Sequence, residues 1–263
     1  MTDYSTLRLT VDDGLAHLTI MRPEASNALD HRFFEEFADA VNELAVTPGL
    51  RAILFDSTGR FFSVGGDLGH FASNLDGLPG LVLSGTRAMH PALARLARID
   101  APIVAAVQGP AMGGAVGVLS TCDLIVSARS AKFGAAYSSI GLSLDLGASY
   151  GLASRMGISR ARRFLLLAEI LDAEEAQRVG LVDEVVDDDV LAETALGFAR
   201  RLAAGPTRAY GEVRRLLPRA LAVPFETQLE DEAQALARAG ATADAREGIT
   251  AFLEKRPASF HGE

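Results

Sequence analysis

Two features of this chain are suited to chemistry: an apolar run that ends in paired glycines, and a lone aspartate among leucines. Ile103 to Val107 is continuously apolar, breaks at Gln108-Gly109-Pro110, and re-enters an apolar stretch through Gly113-Gly114 and on to Gly117. A helix entered through glycine presents unpaired backbone N–H groups to the space ahead, and the missing side chain lets a ligand approach the main chain. Such donors suit a phosphate, or a carbonyl oxygen that gains negative charge during reaction. The aspartate is Asp145, flanked by Leu142, Leu144 and Leu146. If those leucines also surround it in space, desolvation raises its pKa toward that of a working base. The competing role for Asp145 is to cap a helix that starts near Ala148 or Ser149. Tyr137 either donates a hydrogen bond or closes a pocket as an aromatic wall, the wall being the favoured reading. His70 and His90 read as surface or packing residues that assist only if the fold brings them to Asp145, and Cys122 as a packing residue.

The elements that must position these residues follow from local pattern. Leu7 to Val11 and Leu15 to Ile20 alternate around Asp12-Asp13-Gly14, which predicts an antiparallel hairpin. Asn27 or Asp30 can cap a helix reaching Val46, with Phe33, Phe37, Val41 and Leu44 on one face. A strand at Ala52 to Phe55 leads into a loop, Gly59 to Gly66, that carries a second glycine pair. A helix over Thr86 to Arg98, the strand at Ile103 to Val107, the Gly114 helix and a strand at Leu124 to Val126 follow. This recurrence of short β-α units argues an α/β fold. Beyond Ser149 the pattern turns mostly helical: Arg160 to Ala168, Ala173 to Val179, Leu191 to Ala203, Thr207 to Leu217, and helices near Phe225 to Ala239 and Asp244 to Lys255. Gly205-Pro206 marks a boundary. The expected division is a core over 1–204 and a C-terminal helical region over 205–263.

Composition narrows the function classes. The chain has 263 residues, is 49% hydrophobic and carries a formal charge of −9, which fits a folded domain and argues against nonspecific nucleic-acid or anionic-membrane binding. No apolar run reaches the length of a membrane span, the start is polar without a signal-peptide pattern, and Cys122 is the single cysteine. These features predict a cytoplasmic protein with no disulfide and no metal site. Gly113-Gly114 does not complete G-x-G-x-x-G, so a dinucleotide site is disfavoured.

The glycine loops sit within a longer series of motifs. Arg22-Pro23-Glu24-Ala25-Ser26-Asn27-Ala28-Leu29, Phe62-Ser63-Val64-Gly65-Gly66-Asp67-Leu68, Ala106 to Gly114 with Cys122-Asp123-Leu124, Glu174-Glu175-Ala176 to Val182, and Asp244 to Arg256 occur in that order. In this the chain resembles the crotonase (enoyl-CoA hydratase/isomerase) superfamily over nearly its whole length. The resemblance implies a crotonase-like spiral of β-β-α turns whose C-terminal helices pack between the subunits of a homotrimer or dimer of trimers. It also implies an acyl-CoA thioester substrate, with no cofactor beyond its CoA moiety. The amides of Gly66 and Gly114 would hold the thioester carbonyl, which favours the carbonyl over the phosphate.

The same resemblance points to Arg22 and Ala25 near the CoA phosphates and ribose, and to Val64, Asp67 and Leu68 around the adenine. Phe252 and Lys255 would come from the closing helix, from a neighbouring subunit if the chains associate; Lys255 is one of only two lysines. Ungapped alignment from Gly113 sets the two glutamates of family hydratases at Gly117 and Tyr137, so two-glutamate water addition is disfavoured. Ile140 to Gly147 resembles the segment in which family isomerases carry a proton-shuttling aspartate, here Asp145. The expected activity is double-bond isomerisation of an acyl-CoA. The alternatives are Asp145 as nucleophile in a hydrolase or dehalogenase, and a non-catalytic acyl-CoA binder. Gly117, Tyr137, Leu142, Met89 and the loop from Leu75 to Leu83 are expected around the acyl group.

Overall fold

The structure is a computed structural model that describes residues 3–220 and 222–263; Met1, Thr2 and Leu221, which fall within the expected ranges, lie outside them. β1 (Leu7–Asp12) and β2 (Leu15–Ile20) pair antiparallel through a two-residue turn in which Asp13 and Gly14 both take positive φ, the geometry that matches strand twist. The sheet continues with β3 (Ala52–Ser57), β4 (Ile103–Val107), β6 (Leu124–Ala128) and β9 (Glu184–Val186), all parallel, in the order β1-β2-β3-β4-β6-β9. A small second sheet is made of β5 (Ala111–Met112), β7 (Lys132–Gly134) and β8 (Ile170–Asp172). The helices are α1 (His31–Val46), α2 (Leu68–Ala72), α3 (Leu78–Leu96), α4 (Gly114–Leu119), α5 (Ala148–Leu166), α6 (Ala173–Arg178), α7 (Leu191–Ala203), α8 (Thr207–Leu216), α9 (Phe225–Gly240) and α10 (Ala243–Glu254).

Every residue of β4 is buried because both faces of the parallel sheet are covered. Alternation along the strands sorts the residues. Ile53, Phe55, Ile103, Ala105 and Ile125 join the main core with Phe33 and Phe37 of α1, whereas Leu54, Val104, Ala106 and Val126 meet Leu191, Ala195 and Ala199 of α7. The segment before β1 is fastened to α1 by Glu36, whose carboxylate accepts from the backbone N–H and hydroxyl groups of both Ser5 and Thr6 at 2.6–3.0 Å. Burial alone would raise the Glu36 pKa, but these hydrogen bonds outweigh it and bring it down to about 2.

Five elements depart from expectation. α3 begins at Leu78, not Thr86, because Pro79 sits in its first turn, where proline needs no N–H partner. α5 begins at Ala148 and is two helices merged across Gly157 (φ 76°, ψ 152°), so the expected segment at Arg160 is only its second half. The strands of the small sheet, three residues or fewer, are too short to show a period.

Candidate active site

The first glycine loop is built outward from Asn27. Its buried side chain accepts from Arg22 N–H at 2.8 Å and donates to the carbonyls of Thr58 and Phe61 at 2.7 and 2.8 Å. It therefore clamps the loop; the cap of α1 is Asp30, whose Oδ1 accepts from Phe33 N–H at 2.9 Å. Ser63 donates through Oγ to the Asn27 carbonyl at 2.7 Å and accepts from Gly65 N–H at 3.1 Å. Leu29 N–H then takes the Gly65 carbonyl at 2.8 Å. This pairing engages both backbone polar groups of Gly65 and leaves the Gly66 N–H without an acceptor among the described residues.

The second loop is tied to the first and to the small sheet. Met112 N–H donates to Ser63 O at 2.9 Å, and Gly113 N–H to Gly134 O at 2.9 Å. Gly113 turns the chain at φ 53°, so that Gly114 opens α4 with its N–H likewise unpaired among the described residues. A Cβ on Gly65 would lie 2.6 Å from Met112 O and 3.2 Å from Gly114 N; only glycine permits the two loops to approach this closely. α4 has six residues, so the amides themselves, more than a helix dipole, are what the site offers.

Both amides line one cavity of about 280 Å³. Its walls are apolar, from Leu29 and Phe34 around to Phe71, Leu81, Val82, Ile140, Leu142, Leu144 and Leu146. Asp145 projects among them, and a Cβ on Gly114 would lie 3.7 Å from its Oδ1. Burial raises the Asp145 pKa above the ordinary carboxylate value; the Tyr137 hydroxyl, donating to Oδ1 at 2.9 Å, and the charge of His90 oppose that rise only in part. Burial and the neighbouring carboxylate push the Tyr137 phenol upward, which keeps it protonated. Asp145 does not cap α5: that position is Gly147, and no side chain caps the helix.

The other expected site residues divide. Leu142 and Tyr137 line the cavity, as do Val64, Asp67, Leu68 and His70. Asp67 also caps α2 through His70 N–H at 3.0 Å. Arg22 is paired with Asp30 at 2.9 Å beside the cavity, and Ala25 lies in the one-turn helix Pro23–Ala25. Met89 is fully buried in the core face of α3 and does not line the cavity, so its expected role is corrected. Gly117 is corrected too: it lies under the backbone of Asp145 and Leu146, where a Cβ would come within 2.9 and 3.1 Å of their carbonyl oxygens. Phe252 and Lys255, at the end of α10, are exposed and lie outside the cavity lining of this chain. Of the loop from Leu75 to Leu83, Leu81 and Val82 reach the cavity. Phe34 and Phe71 were not expected there; Phe34 reads as one more residue of an amphipathic helix, and its burial partner Gly85 on α3 is distant in sequence.

The arrangement is two free amide donors beside the Asp145 carboxylate in a mostly apolar cavity. It can polarise a carbonyl oxygen and move a proton at the neighbouring carbon.

Comparison with known proteins shows the family. The family model described as enoyl-CoA hydratase/isomerase matches residues 10–263. The chain is 35% identical to 1,2-epoxyphenylacetyl-CoA isomerase of Escherichia coli K12, over 96% of this chain and 97% of that protein. It is 31% identical to 2,3-dehydroadipyl-CoA hydratase of the same organism, over 93% and 94%. The crystal structure of an enoyl-CoA hydratase from Polaromonas sp. JS666 superposes with a TM-score of 0.90 at 28% identity, covering 97% of this chain and 99% of that one. The α/β architecture is the crotonase fold, and the chain belongs to the enoyl-CoA hydratase/isomerase family.

Proposed function

We propose that the protein isomerises an unsaturated acyl-CoA thioester, with Asp145 as a single proton shuttle. The thioester carbonyl is held by the N–H groups of Gly66 and Gly114, which lowers the energy of the enolate formed beside it. Asp145 takes a proton from Cα, and the C–H electrons enter the Cα–C1 bond to give the enolate. The acid can exchange its proton with solvent; the enolate then collapses to the Cα–Cβ double bond as the original double bond takes a proton from Asp145 at its far carbon. The thioester is unchanged in composition. The observation that carries this reading is the Asp145 carboxylate beside the Gly114 amide, with no carboxylate contributed by α4 itself. Gly117 underlies Asp145 with no space for a side chain, which argues against a water held between two glutamates. The name of the isomerase relative suggests that ring-bearing acyl groups belong in the substrate panel beside linear 3-enoyl groups. Two outcomes of Asp145→Asn test the reading. Turnover should fall by roughly 10³-fold or more while a saturated acyl-CoA still binds; near-wild-type turnover would exclude the shuttle.

The same reading includes assembly into a homotrimer or dimer of trimers. It is supported by the apolar residues that α10 leaves in solvent: Ile249, Phe252 and Leu253 are 64%, 82% and 74% exposed.

A further inference from the structure

Tyr137 and Asp145 are the two ends of one loop, joined by a single hydrogen bond from phenol to carboxylate at 2.9 Å. That bond is the only one a side chain makes to Asp145 among the described residues. The backbone beside each end is held in an unfavourable conformation: Ala136, just before Tyr137, has φ 41°, and Leu146, just after Asp145, has φ 49°. Neither is glycine, and such residues persist where the surrounding structure over-determines them. Here Ile140 and Leu142 N–H groups fold back on the Tyr137 carbonyl at 3.2 and 3.0 Å, and Ala148 N–H takes the Asp145 carbonyl at 2.9 Å. The local geometry is thus spent on bringing a hydroxyl to a carboxylate, and a plain aromatic wall needs no hydroxyl.

We propose that Tyr137 is a positioning residue that occupies Oδ1 of Asp145, fixes the carboxylate plane and reserves Oδ2 as the oxygen that takes and returns the substrate proton. This rests on the reading of Asp145 as proton shuttle. In the resting enzyme the phenol donates to a carboxylate. Once Oδ2 carries the proton, the phenol donates to the carbonyl-like Oδ1 of the acid, so the same bond survives both halves of the transfer. Tyr137 gives up no proton in either step. The bond is stronger to the ionised form, so it also favours the base over the acid.

The groups that face Asp145 are few. Tyr137 comes from its own loop and His90 from α3. Across the cavity stand Asp30 and His31 at the start of α1, Asp67 after the Gly66 loop and His70 of α2; α4 contributes no titratable group. Of these, Tyr137 is the one in hydrogen-bond contact.

The test is Tyr137→Phe, which keeps the ring and removes the hydroxyl. Asp145 is followed by its side-chain carboxyl carbon resonance in free enzyme labelled with ¹³C-aspartate, assigned by its loss in Asp145→Asn. The proposal predicts a titration midpoint at higher pH in Tyr137→Phe, and the acid limb of kcat/KM moving the same way. It also predicts kcat about tenfold lower with KM changed far less. Replacing Tyr137 by 3-fluorotyrosine, a more acidic donor on the same ring, should move the midpoint down. An unmoved midpoint in both variants, with kcat retained in Tyr137→Phe, would reduce Tyr137 to a wall and overturn the proposal. Because the carboxyl titration needs no turnover, its outcome is independent of whether Asp145→Asn abolishes activity, so failure of the shuttle and failure of the positioning role are told apart.

Discussion

At the scale of single residues, the site is defined as much by what Gly117 excludes as by what Asp145 supplies. A Cβ at 117 would press on the Asp145 and Leu146 carbonyls, which are backbone and cannot swing away. Gly117→Glu should therefore not add hydratase activity. It should lower the unfolding free energy by about 1–3 kcal/mol, read from denaturant midpoints, because the loop bearing Asp145 must shift to admit it. A stable Gly117→Glu variant that hydrates enoyl-CoA would show that the loop is free to move. Asp145 and the two glycine loops were legible in the sequence because each stands in a contiguous motif. The Tyr137 hydrogen bond was not, since a phenol in sequence looks the same whether it packs or donates. Met89 was misread for a related reason: α3 has one face toward the core and one toward the cavity, and periodicity does not say which face meets substrate.

Elements hold that site in place through a few clamps. Asn27 fixes the Gly66 loop, the small sheet fixes Gly113, and Glu36 fixes Ser5 and Thr6 to α1. The Glu36 clamp has a pH signature. Its folded pKa is lowered to about 2 from an ordinary 4.5, so its contribution is complete above about pH 4.5 and fades as pH falls toward 2. Glu36→Gln should cost about 2 kcal/mol at neutral pH, and the gap from wild type should close across that window. A gap independent of pH would assign the loss to packing and not to charge. The long strands and helices were readable from alternation and caps, whereas β5, β7 and β8 were not. Those short strands matter because Gly113 N–H bonds to Gly134 in β7, a contact that depends on pairing between distant segments.

For the whole molecule, two cores sit on opposite faces of the large sheet, and α8 is bolted to the main body by charge. Arg214, largely buried, pairs with Asp123 at 2.9 Å and donates to the Ile99 carbonyl, while Arg208 and Arg215 both reach Asp100. Beyond α8 several large apolar side chains face outward, including Leu236 of α9 at 75% exposure. Sedimentation at low concentration should give the mass of a trimer or of a dimer of trimers, and Phe252→Asp should shift it downward; a monomeric wild type would contradict the proposed assembly. The helices of this region were legible from their periodicity. What their exposed faces meet was not, because an apolar stripe reads alike whether it is buried within one chain or between several.

The central claim, enolate chemistry with one carboxylate as base, is tested most directly by solvent deuterium exchange. 3-Enoyl- and aryl-acyl-CoA thioesters would be incubated in D₂O with wild type and with Asp145→Asn. The proposed mechanism predicts deuterium at Cα with wild type, at a rate that falls on the acid side as Asp145 becomes protonated, and none above background with Asp145→Asn. Equal exchange by the two proteins, or none by wild type on any thioester it binds, would contradict it.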